Sequence, residues 1–330
     1  MIRRRSFITL LGGAAVAWPA VARGQQGERA KRIGVLMNLP PNDLQGQARI
    51  AAFVQRLRQL GWNDGSNVRI DYRWGPGDAD SYRKTASELI ALVPDVILAN
   101  GNSTMGPLQL ATRSVPIVFT QVTDPVGVGY VDSLARPGGN STGFLQFEYS
   151  LSAKWLELLK QVAPSVTRAA ILRDPANPAS GGQLGAIQAV APSLNVEVTP
   201  VGVRDADEIE RAITAFARKS NGGLVVQGSP SAIIHRAVII RLAAQHRLPA
   251  VYPYRYYVTD GGLISYRNDP VDQYPRAAEY VDRILKGEKT ADLPVQAPTK
   301  YELVINLKTA RSLGLEILPT LLARADEVIE

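Results

Sequence analysis

An α/β fold of two similar lobes, each a parallel sheet flanked by helices, is predicted by three features of this 330-residue sequence. Short β-branched runs alternate with longer segments whose apolar residues recur every three to four positions, the rhythm of a parallel sheet covered on both faces. That rhythm breaks once, at the turn-rich stretch Ala135-Arg-Pro-Gly-Gly-Asn140, and then restarts. At about 100–200 residues per domain, the length suits two domains, each large enough for its own core.

The elements follow in order. Residues 33–37 read as a buried strand, and 45–60 as an amphipathic helix with Ile50, Phe53, Val54, Leu57 and Leu60 on one face. A strand over 68–74 precedes a helix over 80–92 opened by an acidic cap. Strand 96–99, a short helix over 104–113 and strand 117–121 complete the first half. After the break come helix 154–162, strand 169–173, helix 183–194, strand 196–203 and helix 206–219. Strand 224–227, helix 233–245 and strand 250–254 follow. Ligands in open α/β sheets bind beyond the carboxyl ends of the strands, so the cleft between the two lobes is the expected site.

Composition narrows the chemistry. With no cysteine there is no disulfide, no thiolate nucleophile, no cysteine zinc site and no acylated cysteine. The only histidines, His235 and His246, fall on one predicted helix without an acidic partner near in sequence, a poor metal pair. The net charge of +7 invites a nucleic-acid reading. Three of those charges, Arg3, Arg4 and Arg5, sit in a leader expected to be removed, which lowers the count to +4, and the rest are interspersed with acids. No nucleic-acid partner is expected. Gly127-Val-Gly129 lacks the third glycine of a dinucleotide fingerprint, and no P-loop, nucleophile elbow or paired-histidine zinc motif occurs. Asn102-Ser-Thr and Asn140-Ser-Thr match the glycosylation pattern by chance.

Residues 1–22 have the layout of an export signal: a basic start, an apolar stretch from Phe7 to Trp18, and Ala20-Val21-Ala22 as a small-x-small cleavage site. The apolar stretch is short for a permanent span of a ~30 Å hydrocarbon core. Arg4-Arg5-Ser6-Phe7-Ile8 resembles a twin-arginine signal, although Arg3 stands where Ser or Thr is preferred. A periplasmic protein cleaved after Ala22 is expected.

Four stretches carry a family resemblance: VPIVFTQVTDPVGVG at 115–129, LARPGGNSTG at 134–143, LKGEKTADLPV at 285–295 and YELVINLKTARSLG at 301–314. Together they resemble the ABC-transporter substrate-binding proteins that include tryptophan- and tyrosine-type uptake receptors. The resemblance implies two Rossmann-like lobes joined by a three-strand hinge, the type I periplasmic-binding-protein fold. It further implies hinge closure on a small-molecule ligand (an amino acid or aromatic acid), delivery to an ABC permease in the inner membrane, a monomer, no cofactor and no enzymatic activity. The hinge crossings are expected near 143–149, 263–266 and 294–298. The lobes would then comprise 31–145 with 265–292, and 146–264 with 293–330.

Strand ends nominate the binding residues. Asn102, Ser103 and Thr104 open a helix, where free N–H groups and hydroxyls suit either a ligand carboxylate or simple capping; the resemblance favours binding. Gly101-Asn-Ser103 departs from the Gly-Thr-Pro of related proteins. Thr123 and Asp124 follow the next strand, and Asp124 either meets a ligand ammonium or caps the turn at Pro125. Asn38 follows the first strand. From the second lobe, Asn177, Gln227 and Ser229 can orient a ligand, and Gln227-Gly228 is a second departure. Tyr254 and Arg255 belong to an aromatic cluster that either stacks on a ring and clamps a carboxylate or packs the hinge. The competing classes are a hydrolase or isomerase using Asp124 and Asp174, and a ligand-sensing regulator of the same fold. The leader stands where such a regulator carries its DNA-binding domain.

Overall fold

A computed structural model describes residues 30–75 and 79–330, so the leader lies outside the described residues. The first lobe is built from β1 (Lys31–Met37), α1 (Leu44–Gln59), β2 (Val68–Trp74), α2 (Ala79–Ala91), β3 (Val96–Asn100), α3 (Asn102–Ala111), β4 (Ile117–Val122) and β5 (Ser141–Leu145). Its sheet has the order β2-β1-β3-β4-β5, all parallel. Strands β3, β4 and β5 are buried throughout, as expected of a sheet covered on both faces. The second lobe runs through α4 (Leu151–Val162), β6 (Arg168–Arg173), α5 (Ser180–Val190), β7 (Glu197–Gly202), α6 (Ala206–Ala217) and β8 (Gly222–Val226). It continues with α7 (Pro230–Ile234), α8 (Arg236–Gln245), β9 (Ala250–Tyr252), α9 (Arg255–Thr259) and β10 (Ile264–Arg267).

The chain then returns to the first lobe with α10 (Gln273–Leu285). There Tyr274, Ala277, Ala278 and Val281 share a core with Ile50, Phe53 and Leu57 of α1. It ends in the second lobe as β11 (Glu302–Asn306), α11 (Leu307–Leu313), α12 (Pro319–Leu322) and β12 (Glu327–Ile329). The second sheet is ordered β12-β11-β10-β9-β8-β6-β7. Its one antiparallel pairing is β10 with β11, because β11 enters from the other lobe instead of through a right-handed crossover.

Local chemistry sets the helix starts. Asp43 caps α1 by accepting the Gly46 N–H at 2.8 Å, and Asp205 caps α6 by accepting that of Glu208 at 2.7 Å. The helix expected over 233–245 begins earlier and is divided at His235 (φ −94°, ψ 17°). Ser229, capping the Ala232 N–H at 3.2 Å, and Pro230 in the first turn initiate α7 upstream of the apolar run.

The chain passes between the lobes three times, and the second crossing lies beyond the expected 263–266. Residues 141–145 form β5 beside β4, so the first crossing starts at Gln146. Residues 264–267 form β10 between β9 and β11, which places residues 265–267 in the second sheet and the crossing after Arg267. The third follows Gln296, which still exchanges backbone hydrogen bonds with Gly143 (2.9 Å) and Leu145 (3.0 Å). The lobes are drawn together. Leu39, on the first-lobe loop after β1, is fully buried in the second-lobe apolar cluster that contains Leu172, Val226, Ile233 and Tyr254.

Candidate functional site

The ends of β1, β3, β4, β6, β8 and β9 converge on one partly enclosed cleft between the lobes, closed down to about 20 Å³ of free space. Asn38 after β1, Asn100 to Ser103 after β3, and Gln121 and Thr123 after β4 form one wall. Asn177, Gly228 to Pro230, Ile233 and Tyr254 form the other, Gln146 of the first crossing lies between them, and Arg49 reaches in from α1. Two larger depressions lie elsewhere, one beside Tyr266 and Tyr301 and one beside Asn140, but both are wide open to solvent and away from these strand ends.

The first-lobe wall is organised as a polar chain. Tyr274 donates its hydroxyl to Asn100 Oδ1 at 2.7 Å, Asn100 donates to Asn38 Oδ1, and Asn38 donates to Ser103 Oγ at 3.4 Å. Gly101, at φ 83°, starts α3 in a left-handed conformation, and a side chain there would run into the Asn38 amide. Asn102 is tied to Thr123 in both directions, donating to its carbonyl at 2.9 Å and accepting its N–H at 2.8 Å, which fixes the ends of β3 and β4 to one another. Gln121 holds φ 56°, an uncommon conformation for a non-glycine residue and one found at ligand clamps. Its N–H donates to Gln273 Oε1 at 2.8 Å, and its side-chain carbonyl accepts from Gln146. Gln146 also accepts from Thr123 Oγ1 at 3.2 Å and donates to the Tyr254 hydroxyl of the second lobe at 3.3 Å. One crossing residue therefore reads both lobes.

The charged groups are the unexpected part. Arg49 is 1% exposed, its Nε and Nη2 have no hydrogen-bond partner, and no carboxylate pairs with it among the described residues. Arg267, at the end of β10, is 4% exposed, with Nε and Nη1 likewise unpartnered. Its guanidinium stacks 4.6 Å from the Phe147 ring centroid and 4.5 Å from that of Tyr254, while Arg49 lies 6.0 Å from the same Tyr254 ring. Burial pulls Arg267 down to about 10, which leaves it charged at neutral pH. Gly228 has no side chain because the Arg267 guanidinium fills the space where a Cβ would stand. Burying a guanidinium without a counter-charge costs several kcal/mol. The arrangement is therefore poised to accept an anion.

Of the residues nominated from sequence, Asn38, Asn102, Ser103, Thr123, Asn177, Ser229 and Tyr254 line the cleft. Four do not. Thr104 is turned into its own helix, donating to the Asn100 and Gly101 carbonyls at 3.0 Å. Asp124 (φ 45°) takes the capping role, accepting the Gly127 N–H at 2.8 Å and the Tyr149 N–H at 3.5 Å. Gln227 lies behind the wall, where Ser180 donates to its carbonyl at 3.0 Å. Arg255 points away to the surface, in a bidentate pair with Glu327 at 2.7 Å. Sequence reasoning passed over Arg49, although it falls in the buried stripe Gly46, Arg49, Ile50, Phe53, Leu57, and a charge within such a stripe was the available signal. It also passed over Arg267, Gln121 and Gln146. Among the described residues no group of His, Cys, Asp and Glu side chains comes together that could hold a metal, and no helix is long and apolar enough to cross a membrane.

A model of the family described as ABC transporter substrate binding protein matches residues 45–329. The tyrosine-binding protein of Clostridioides difficile (strain R20291) is 27% identical over 270 residues, covering 80% of this chain and 76% of that one. Among solved structures, a conserved domain protein from Vibrio cholerae O1 biovar El Tor is similar at a TM-score of 0.83, with 26% identity and coverage of 91% of this chain and all of that one. An ABC domain from Streptococcus pneumonia in complex with L-Trp scores 0.82, with 25% identity over 91% of this chain and 99% of its own. A ligand-free, open substrate-binding protein from Clostridium difficile, at the same 25% identity and coverage, scores only 0.64. Equal sequence distance with unequal superposition fits the closed lobes seen here, with Leu39 docked across the cleft.

Proposed function

The chain belongs to the ABC transporter substrate-binding protein family, and on that premise we propose that its cleft captures a small organic carboxylate, an amino acid or aromatic acid, for delivery to an ABC permease. The observation that carries the ligand class is Arg49: a permanently charged, buried guanidinium in the cleft wall whose Nε and Nη2 lack acceptors. A carboxylate would satisfy two of them at once through a bidentate charge-assisted pair. Ile233, Pro230 and the edge of Tyr254 offer the apolar surface for the rest of the solute, while amides and hydroxyls orient it.

In this reading the open lobes admit the solute, the carboxylate neutralises buried positive charge, and the hinge closes around Gln146. The solute contributes in two ways: it removes a desolvation penalty, and it allows Leu39 to dock in the opposite lobe. The closed form, monomeric and carrying no cofactor, then presents both lobes to the permease and performs no reaction. Residues 1–22 have the composition of a cleavable signal, which supports an exported, periplasmic protein released after Ala22, with the paired arginines supporting the twin-arginine route.

A thermal-shift screen over amino acids and aromatic and aliphatic acids tests the proposal. A carboxylate at 100 times its Kd should add about 2.7 kcal/mol of stability, with the solute recovered unchanged. A screen in which no carboxylate stabilises the protein, or one in which the solute is consumed, contradicts it.

A further inference from the structure

The other end of the solute is constrained by what the cleft lacks. Resting on the carboxylate reading above, we infer that the cleft selects carboxylates without an α-ammonium group and discriminates against the corresponding amino acids. Three observations converge on this.

First, Arg49 is the only ionisable group besides the Tyr254 phenol among the described cleft-lining residues, and the polar remainder are amide and hydroxyl side chains. A buried ammonium is stabilised far more by a carboxylate or a cage of ring faces than by neutral amide oxygens. Second, the nearby acids among the described residues are committed elsewhere. Asp124 caps its own turn through the Gly127 and Tyr149 N–H groups. Asp174 accepts the Ala176 N–H at 2.9 Å, and burial raises its carboxyl above the ordinary carboxylate range, which makes it a weaker counter-charge. Asp43 caps α1, and its field already acts on Arg49. Third, the aromatic alternative is occupied. The Tyr254 ring stacks on Tyr256 with centroids 5.0 Å apart and carries the Arg267 guanidinium at 4.5 Å. An added ammonium would face two buried cations with no free anion to meet it among the described residues.

The departure from relatives named for tyrosine and crystallised with L-Trp is therefore chemical. Here the carboxylate is the handle, and the ammonium is excluded. The class that fits is the deaminated acid: aryl- or alkyl-carboxylates with hydroxyl or carbonyl substituents, which the amides at Asn38, Gln121 and Gln146 can satisfy.

Isothermal titration of the purified protein with matched pairs tests this: 3-phenylpropionate against phenylalanine, 3-(4-hydroxyphenyl)propionate against tyrosine, and 4-methylpentanoate against leucine. At least one acid is expected to bind ten-fold or more tightly than its amino-acid partner. Amino acids binding as tightly as, or more tightly than, their deaminated partners would overturn the inference while leaving carboxylate capture intact. Binding by neither class would overturn both. The isosteric Asn38→Asp variant provides a second readout, because Ser103 can rotate to donate to the new carboxylate while Asn100 still donates to it. In a variant with unchanged circular dichroism, the acid-to-amino-acid affinity ratio should fall ten-fold or more, and an unchanged ratio would count against the inference.

Discussion

Replacing Arg49 by Met separates binding from stability. The side chain is 1% exposed, two of its nitrogens lack acceptors, and it pairs with no carboxylate among the described residues. Replacing buried ionic groups by apolar ones of similar volume is commonly neutral or stabilising by about 1–4 kcal/mol, and an unpaired cation belongs at the favourable end of that range. The Met side chain is of similar length, and position 49 lies on the buried face of α1 with Ile50 and Phe53. At roughly 2 °C per kcal/mol for a chain of this size, the ligand-free Arg49→Met protein should melt about 2–8 °C above the parent. Its response to the captured acid should vanish, removing the roughly 2.7 kcal/mol expected at 100 times Kd. Differential scanning calorimetry with and without the acid reads both effects, with Arg49→Lys as a control that keeps the charge but loses the bidentate fork. A variant that melts lower than the parent and still responds fully to the acid would show that Arg49 is a structural cation, and the reasoning would fail.

Asp124→Ala should leave the affinity for the acid within two-fold by titration calorimetry, and should cost about 0.5–2 kcal/mol of stability through the lost turn cap; a large loss of affinity would return Asp124 to the site. Leu39→Ala removes a side chain buried only when the lobes are together, so the closed form should weaken by about 2–5 kcal/mol. With the acid present at a level that closes the parent, small-angle scattering of the variant should then show a more expanded form, and its Kd should rise at least 30-fold; an unchanged Kd would mean that closure does not depend on that contact. Asp71 accepts from Arg32 Nε at 2.6 Å, and this bond holds its carboxyl below the ordinary range. Its contribution is therefore present above its unfolded value near 3.9 and lost as the pH falls through the lower folded value. Urea titrations of Asp71→Asn should show a flatter acid limb than the parent, and an identical limb would refute this assignment.

The strands that carry the cleft were legible because they are short, β-branched and bounded by turns. Val68–Trp74 is the expected strand residue for residue. Two strands were not. Residues 141–145, Ser-Thr-Gly-Phe-Leu, have the composition of a turn and become β5 only because β4 offers an unpaired edge. Residues 264–267 are held as β10 between β9 and β11, the latter arriving from 35 positions and more along the chain, a pairing no local pattern reveals.

The site divides in the same way. Polar residues at strand ends were visible, since the fold aims those positions at the cleft. Side-chain direction was less so. Arg255 adjoins Tyr254 in sequence, yet as the first residue of α9 it turns outward to Glu327, while Tyr254 turns inward. Arg49 stands within the apolar stripe of its helix, which marks it as buried, but its surroundings, Tyr274 of α10 and Tyr254 of the second lobe, come from distant parts of the chain.

The most direct test is a crystal structure of the protein grown with its tightest-binding carboxylate. The account predicts a carboxylate oxygen about 2.7–3.0 Å from an Arg49 guanidinium nitrogen, no carboxylate side chain within 4 Å of the solute, and Leu39 docked as it is here. A solute whose carboxylate rests on the Gly101-Asn102-Ser103 turn, with the Arg49 nitrogens untouched, would contradict it.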